Sequence, residues 1–408
     1  MRIVVALCAT AGVLVQVERV GSTAPKPVLL SNAGRAELSG FLKSAVDSGR
    51  IPGVVALVTD GERELYLEAV GRASVTPERP MRADAIFRIA SMTKPVTSVA
   101  AMMLYEAGKL SLDEPIKAYL PDYEQPPVVA SFDRATASVR TRPAQRPITI
   151  RHLLTHTSGV GYAFDDTVLA ALQQAGTKEA EFPLLHDPGD KWTYGSSTQL
   201  LGRVVEKIER QPLDEVFRRR VFDPLGMTDT FYRIPDDKRD RLVTWHQRKN
   251  DTLVEMPTAT SEAVAVRGDG GLWSDARDYG AFLRMLINRG DSPHGRLLNA
   301  RTVEMMTTNQ IGRLTVREMA AAMPSIALTF PTGAGRDTFG FGFQIAANGT
   351  SPRSAGSYSW AGVFNTFFWV DPERRIGVVL LMQVLPFFDS ACKHVVEGFE
   401  ERVYRAID

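Results

Sequence analysis

A serine and a lysine three residues apart are the feature of this sequence with the clearest chemical meaning. Ser91 and Lys94, in the run Ser-Met-Thr-Lys, would share one face of a helix. A lysine held beside a serine in a desolvated site loses its proton more readily, and its amine can then take the hydroxyl proton. The serine becomes a nucleophile that can attack an acyl carbonyl. The spacing therefore predicts covalent catalysis through an acyl-enzyme.

The same spacing occurs twice, so the motif alone does not select a site. Ser390 and Lys393 form the second copy, with few residues after them. The first copy has more support, because an apolar helical pattern follows it and Pro95 falls in the first turn, where a missing N–H is tolerated. Ser91 is therefore predicted at a helix N-terminus, whose partial positive charge favours an oxyanion.

Other catalytic and nucleotide-binding motifs are absent from the sequence. No serine has glycine two positions before and two positions after it, which excludes the G-x-S-x-G nucleophile elbow. The Gly108-Lys109 pair is followed by leucine, which excludes a P-loop. Gly340 and Gly342 lack the third glycine of a dinucleotide fingerprint.

Histidines and cysteines give no metal-binding pattern. His152 and His156 could share a helix face, but Leu153 stands where a metalloprotease motif has glutamate. The two cysteines, Cys8 and Cys392, cannot form a C-x-x-C framework. We therefore predict no metal and no cofactor.

Composition excludes several classes of protein. The 408 residues carry 48 Lys+Arg and 47 Asp+Glu, so the net charge is 48 − 47 = +1. A nucleic-acid or anionic-membrane binder would show a basic stripe, which this balance argues against. The chain is long enough to bury a core without disulfides or metals. We expect a small-molecule substrate and no nucleic-acid partner, while the oligomeric state is left open.

Residues 1–27 are predicted to be a signal peptide or an N-terminal extension. An apolar run of fifteen residues, Ile3–Val17, follows Arg2 and is too short to span a membrane. Ser22-Thr23-Ala24 supplies small residues for cleavage. The alternatives are an N-terminal strand or an over-long gene start. Export would place the protein in the periplasm or outside the cell, and otherwise it would be cytoplasmic.

Periodicity predicts strands near both ends of the chain and helices between them. Val54–Val58 and Glu64–Val70 should form a hairpin, and Met92–Ala107 a helix. Residues 121–148 are interpreted as a loop or insertion, and Thr149 as the cap of the next helix. The remaining elements are predicted helices at 199–208, 276–288 and 392–407, strands at 339–343, 364–370 and 376–383, and a turn at 268–271. We therefore predict an α/β (α+β) fold, with an antiparallel sheet flanked by helices and an inserted, mostly helical lobe.

Four segments carry a resemblance to a known family. Ser91–Thr97 resembles the nucleophile segment of the serine β-lactamase and penicillin-binding-protein superfamily, in its class C-like branch, and is most similar to the family VIII carboxylesterases. Residues Ile148–Gly159 are similar to that family's landmark helix and loop. Tyr194-Gly195-Ser196 falls where the family has Tyr-x-Asn or Tyr-x-Ser, and Trp360-Ala361-Gly362 where class C β-lactamases have Lys-Thr-Gly and the esterases Trp-x-Gly.

The resemblance covers residues 37–403 and implies one catalytic domain. Its α/β lobe would comprise about 37–110 and 265–403, and its helical lobe about 111–264. By resemblance, Ser91 is the nucleophile, and Lys94 and Tyr194 share the roles of general base and acid. The backbone N–H groups of Ser91 and Val363 would form the oxyanion hole.

The departures from the family pattern bear on the substrate. Ser196, Trp360, Ala361 and Gly362 are implied substrate-binding residues, and Gly362 would let substrate lie against the strand. Trp360 cannot pair with a carboxylate as the family lysine does. We therefore expect a carboxylesterase on neutral, short-chain esters, with weak β-lactam hydrolysis at most. The alternatives are an acyltransferase, a β-lactamase or D-Ala peptidase, and a non-catalytic binding module.

Overall fold

The computed structural model describes residues 28–257, 265–348 and 351–407. The expected signal peptide or extension at 1–27 lies outside these residues. Within them, no helix combines the length and the apolar character that crossing a membrane would require.

Ten α-helices are found in the described residues. The segment from α6 to α7 is continuous, because a π turn joins the two. The helices are α1 Asn32–Asp47, α2 Thr93–Glu106, α3 Ile150–Leu154, α4 Thr167–Gln174, α5 Ser197–Glu209, α6 Leu213–Phe217, α7 Asp223–Leu225, α8 Ala276–Ile287, α9 Ala300–Met306 and α10 Ser390–Ala406.

Seventeen strands, several of only two residues, complete the described structure. They are β1 Gly53–Thr59, β2 Glu64–Ser74, β3 Arg79–Pro80, β4 Phe87–Arg88, β5 Val128–Asp133, β6 Ser138–Arg142, β7 His246–Lys249, β8 Thr252–Glu255, β9 Trp273–Ser274, β10 Asp291–Ser292, β11 Gly295–Arg296, β12 Thr338–Phe339, β13 Gln344–Ile345, β14 Tyr358–Gly362, β15 Thr366–Asp371, β16 Ile376–Leu381 and β17 Val384–Leu385.

The main sheet has eight antiparallel strands in the order β12-β13-β14-β15-β16-β1-β2-β3. Strands from both ends of the chain meet at its centre, where β1 pairs with β16. Every residue of β1, β15 and β16 is buried. These strands read as continuous apolar runs because helices cover the sheet: α8 packs against β1 and β16, and α1 packs against β2 and α10. The mixed helix and antiparallel-sheet content confirms the predicted fold class. The division into two lobes stays a prediction.

Most of the predicted elements near the site are confirmed. The β1–β2 and β15–β16 hairpins are antiparallel, as the turn residues indicated. Thr149 caps α3, since its side chain accepts a hydrogen bond from the backbone N–H of His152.

Two predictions were wrong. For residues 121–148 the loop alternative is wrong, because they contain the β5–β6 hairpin, whereas the insertion alternative stays open. The short strands of this hairpin are mostly half-buried to exposed and lack an apolar period. The alternating run Phe339–Phe343 is not one strand, because Phe339 ends β12 and the next four residues form the turn to β13. Gly342 adopts a φ of 96°, which glycine permits, and the phenylalanines are buried on a bend.

Candidate active site

Ser91 lies in a short 3₁₀ turn, Ala90–Met92, directly before α2. The turn is fixed at both ends, since the N–H of Ile89 donates to the carbonyl of Leu272 at 3.0 Å and the carbonyl of Met92 accepts from the phenol of Tyr279 at 2.9 Å. Ala90 has a φ of 44°, a left-handed conformation that costs a non-glycine residue about 1–3 kcal/mol. Strain of this kind is retained where the surrounding structure fixes it, and here it lies in the turn that contains Ser91.

The side chain of Lys94, in the first turn of α2, contacts Ser91 directly. Its side chain is 1% exposed, and its Nζ donates to Ser91 Oγ at 3.0 Å. The same ammonium donates to the backbone carbonyl of Asp269 at 2.8 Å and to the hydroxyl oxygen of Tyr162 at 3.1 Å. All three donors of the ammonium are therefore occupied.

Tyr194 reaches Ser91 from a distant part of the chain. Its phenol donates to Ser91 Oγ at 2.7 Å. Gly195 makes this approach possible, because a Cβ there would lie 2.0 Å from the carbonyl oxygen of Val160. The structure thus brings together the three residues that the sequence singled out for catalysis.

The second serine–lysine pair has no such surroundings. Ser390 is exposed and its hydroxyl accepts from Arg50 at 3.2 Å, while Lys393 pairs with Glu397 at 2.6 Å. Among the described residues, the two side chains are not hydrogen-bonded to each other, and neither is hydrogen-bonded to a tyrosine.

Three polar residues of the site were missed by sequence reasoning. Tyr162 donates to Asp269 Oδ2 at 2.5 Å, and Arg267 donates to both oxygens of that carboxylate at 2.8 and 3.0 Å. Asp269 belongs to the segment 268–271, which was interpreted only as a turn. The signal available in the sequence was a charged residue between glycines, Gly268-Asp269-Gly270, where a loop needs no charge.

The carboxylate of Asp269 stays ionised although it is 4% exposed. Burial alone would raise its pKa, but the hydrogen bonds from Arg267 and the charges of Lys94 and Arg267 hold the pKa below its ordinary value. Burial, and then the charge of Asp269, raise the pKa of Tyr162 well above its usual value. Tyr162 is therefore a neutral phenol at any working pH.

His152 and His156 lie in different surroundings. His156 is buried in an aromatic cluster against Trp360 and Tyr194, whereas His152 belongs to the cap of α3. Burial, followed by the charge of Lys94, lowers the pKa of His156 to about 3. His156 is thus a neutral ring that supports Tyr194 and not a base at neutral pH.

Strand β14 and the residue after it bring the segment 360–363 to the cavity that Ser91 lines. A Cβ on Gly362 would lie 2.3 Å from the carbonyl oxygen of Ile89, so this glycine is required by the packing of β14 on the turn that bears Ser91. The sequence offered a different reason, a close approach of substrate. Trp360 is buried, and its Nε1 has no hydrogen-bond partner in the described part of the chain.

An apolar cavity of about 570 Å³ joins these elements. Ser91 and Tyr194 line it together with the predicted Trp360, Ala361, Gly362 and Val363. Ser196 is buried at the start of α5 and is not among the lining residues. Large apolar side chains form the walls: Met319, Leu328, Phe330, Phe367, Phe387 and Phe388. A further part of the lining is polar and comprises Arg336, Asp337, Gln344, Arg353 and Glu400.

Comparison with known proteins identifies the family of this chain. The family model described as Beta-lactamase matches residues 38–396. The chain belongs to the beta-lactamase family. This membership confirms the resemblance that the four sequence segments carried, and it shows that the chain is an enzyme of the serine-hydrolase type.

Relatives of this beta-lactamase-family chain are named as an acyltransferase and an esterase. Monacolin J acid methylbutanoyltransferase from Aspergillus terreus is 30% identical over 395 residues, which cover 89% of this chain and 94% of the relative. Lovastatin esterase from Penicillium rubens is 29% identical over 391 residues, with 89% and 96% covered. Among solved structures, that of EstCE1, a hydrolase with promiscuous acyltransferase activity, has a TM-score of 0.75 at 25% identity and covers 91% of this chain and 99% of its own.

Proposed function

We propose that this enzyme is a carboxylesterase that cleaves neutral esters through an acyl-enzyme on Ser91. One observation carries the proposal: Ser91 Oγ receives hydrogen bonds from Lys94 at 3.0 Å and from Tyr194 at 2.7 Å at the lining of an apolar cavity. Covalent catalysis needs a nucleophile within hydrogen-bond reach of a base, and this arrangement meets that requirement.

The reaction would proceed in two halves. When Lys94 is neutral, its lone pair takes the proton of Ser91, and Oγ adds to the ester carbonyl to give a tetrahedral oxyanion. The C–O bond to the alcohol then breaks, and the Lys94–Tyr194 pair returns that proton to the departing alkoxide. In the second half, water gives a proton to the same pair and its oxygen adds to the acyl carbon. Ser91 leaves with the proton, so one ester and one water yield one acid and one alcohol.

The oxyanion would be stabilised by two backbone N–H groups, those of Ser91 and Val363. Both residues line the cavity, and the packing of Gly362 on Ile89 holds β14 beside the nucleophile turn. A helix N-terminus behind Ser91 adds partial positive charge on the same side.

The substrate is proposed to be a neutral ester with an apolar group. Trp360 stands where a lysine would hold a carboxylate, and its indole lies tilted against the ring of Tyr194 at a centroid distance of 5.0 Å. Short-chain esters fit the cavity, and its volume of about 570 Å³ also leaves room for larger apolar groups. The carboxylate of a penicillin would find no lysine ammonium at the position of Trp360, which supports weak β-lactam hydrolysis at most.

Acyl transfer to an alcohol is the second candidate. The same acyl-enzyme would form, and an alcohol would replace water in the second half. The names of the relatives support it, as does a cavity that could hold an acceptor beside the acyl group. A β-lactamase or D-Ala peptidase is less supported, and a non-catalytic binding module least, because Ser91, Lys94 and Tyr194 are in contact.

A substrate panel tests the proposal. Purified protein should hydrolyse p-nitrophenyl acetate, butyrate and octanoate, with activity lost in Ser91→Ala and kept in Ser390→Ala. Added alcohol would divert product to a new ester if transfer competes with hydrolysis. Hydrolysis of a chromogenic cephalosporin far faster than of any ester would contradict the proposal.

A further inference from the structure

The polar neighbours of Lys94 determine where the lone pair of its neutral amine points. A neutral lysine amine has two N–H donors and one lone pair. Its three polar neighbours are Ser91 Oγ, the hydroxyl of Tyr162 and the backbone carbonyl of Asp269. Which neighbour meets the lone pair depends on which of them can donate a proton.

Two of these neighbours can only accept. A carbonyl oxygen carries no proton, so the backbone of Asp269 accepts from Lys94. Tyr162 has one proton, and its hydroxyl gives that proton to the Asp269 carboxylate at 2.5 Å. The Tyr162 oxygen therefore also accepts from Lys94. Ser91 is left as the neighbour that can donate to the amine.

We propose that Asp269 is a positioning residue that, through Tyr162, directs the lone pair of Lys94 at the hydroxyl of Ser91. The inference rests on the proposed serine chemistry and adds residues that no part of the S-x-x-K motif contains. Asp269 contributes in two ways. Its backbone carbonyl accepts a hydrogen bond from Lys94, and its carboxylate accepts a hydrogen bond from the hydroxyl of Tyr162 and so fixes the direction of that hydroxyl.

The carboxylate also supplies the charge that an ammonium on Lys94 needs. Proton transfer from Ser91 creates that ammonium in a site where Lys94 is 1% exposed. Arg267 keeps Asp269 ionised by donating to both of its oxygens. The other groups around Lys94 carry no charge in this state: Tyr162 and Tyr194 are phenols, and His156 is neutral because its pKa is about 3.

Substitution of Asp269 by asparagine tests the role of the carboxylate. In Asp269→Asn the backbone carbonyl stays, but the amide can donate to the Tyr162 oxygen and let the Tyr162 proton compete for the lone pair of Lys94. We expect kcat on p-nitrophenyl butyrate to fall about 10- to 100-fold, with KM changed by less than about 3-fold. Because the ammonium loses its counter-charge, the acidic limb of the kcat/KM profile should move to lower pH.

A matched control separates positioning from structural support. Asp187 is another buried aspartate held by an arginine, since Arg142 donates to both of its oxygens, and it does not line the cavity. In Asp187→Asn the acidic limb should stay in place. An unmoved limb in Asp269→Asn would overturn the proposal, whatever the loss in rate.

Tyr162→Phe provides a second route if Asp269→Asn does not fold. Losing this acceptor should move the acidic limb in the same direction. If the carboxylate acts through Tyr162, the double variant should be no more than about 3-fold slower than the slower single variant. Rate losses that multiply in full would contradict the relay.

The rate of Ser91 labelling by a serine-directed phosphonate, measured against pH, distinguishes this inference from the proposed function. Labelling needs only a nucleophilic serine. If Ser91 is labelled but no ester is turned over, the ester assignment is refuted. The positioning role is then decided by whether the pH dependence of labelling differs between Asp269→Asn and the wild type. Wild-type protein with no labelling at Ser91 would overturn both.

Discussion

The phenol of Tyr194 donates a 2.7 Å hydrogen bond to Ser91 Oγ across 103 residues of sequence. The contact depends on close backbone packing, because Gly195 lies against the carbonyl of Val160 where no side chain would fit. His156 and Trp360 support the ring, with centroid distances of 5.3 and 5.0 Å. Tyr194 is therefore held in place from three sides, as a group that must meet a reacting atom should be.

Removal of the Tyr194 hydroxyl should suppress turnover without unfolding the protein. Tyr194→Phe keeps the ring and its aromatic contacts, so the midpoint of thermal unfolding should stay within a few degrees. We expect kcat/KM on p-nitrophenyl butyrate to fall about 10²- to 10⁴-fold, the usual effect of losing a general acid–base group. Steady-state kinetics and a melting curve together check this, and full activity in the variant would remove Tyr194 from the mechanism.

Trp360 should act as an apolar wall and not as a hydrogen-bond donor. Its Nε1 is buried and meets no acceptor in the described residues. Trp360→Phe should therefore keep kcat/KM for neutral esters within about 3-fold, whereas Trp360→Ala should lose at least about 10-fold, because the support of Tyr194 disappears with the ring. A large loss in the phenylalanine variant would instead show that the indole N–H binds substrate.

Gly362 should not tolerate even a methyl group. An added Cβ would come within 2.3 Å of the carbonyl oxygen of Ile89, so β14 or the nucleophile turn must move. Gly362→Ala should lower activity at least about 10²-fold, since a displacement of about 1 Å has an effect of that size. The control is Gly40→Ala on an exposed face of α1, where a Cβ meets nothing within 4 Å. That change should leave activity intact and stabilise the helix slightly.

Stability should depend on pH through Asp165 at the cavity. Burial, and then the charge of Asp166, raise the pKa of the Asp165 carboxyl to about 8. The unfolded chain ionises this group near pH 3.9, so the folded protein holds one more proton between about pH 4 and 8, and stability falls as pH rises through that range. Asp165→Asn removes the penalty and should gain on the order of 3 kcal/mol relative to wild type between pH 4 and pH 8.

Urea denaturation at pH 4.5 and pH 8 measures this difference. Asp187→Asn should instead lower the free energy of unfolding, because the hydrogen bond from Arg142 lowers the pKa of Asp187 to about 2 and the ionised carboxylate stabilises the folded protein. This stabilisation is present above about pH 4 and is lost as the pH falls toward 2. An advantage of Asp165→Asn that does not change with pH would show that the carboxyl is not held protonated.

Local patterns in the sequence were sufficient to predict much of this fold. The β1–β2 and β15–β16 hairpins follow from their turns, and the helix after Thr149 follows from its cap. Such signals act over a few residues, so they survive in any tertiary context. The alternation Phe339–Phe343 failed because a glycine with positive φ turned a strand-like pattern into a bend.

In the candidate site, too, the residues that could be predicted are those with a local pattern in the sequence. Ser91 and Lys94 share one turn, so their spacing predicts their contact. Tyr162 and Asp269 come from distant loops, and a lone tyrosine or a charge between glycines has no local period to reveal it. Tyr194 was found only through a resemblance to a family, since a buried aromatic is in most cases simply core.

The most direct test of the account is mass-spectrometric mapping of a serine-directed phosphonate on the wild-type protein. One adduct is expected, on the peptide that contains Ser91, formed at an unchanged rate in Ser390→Ala and absent in Ser91→Ala. An adduct that persists in Ser91→Ala, or that maps to the exposed Ser390, would contradict the assignment of Ser91 as the nucleophile.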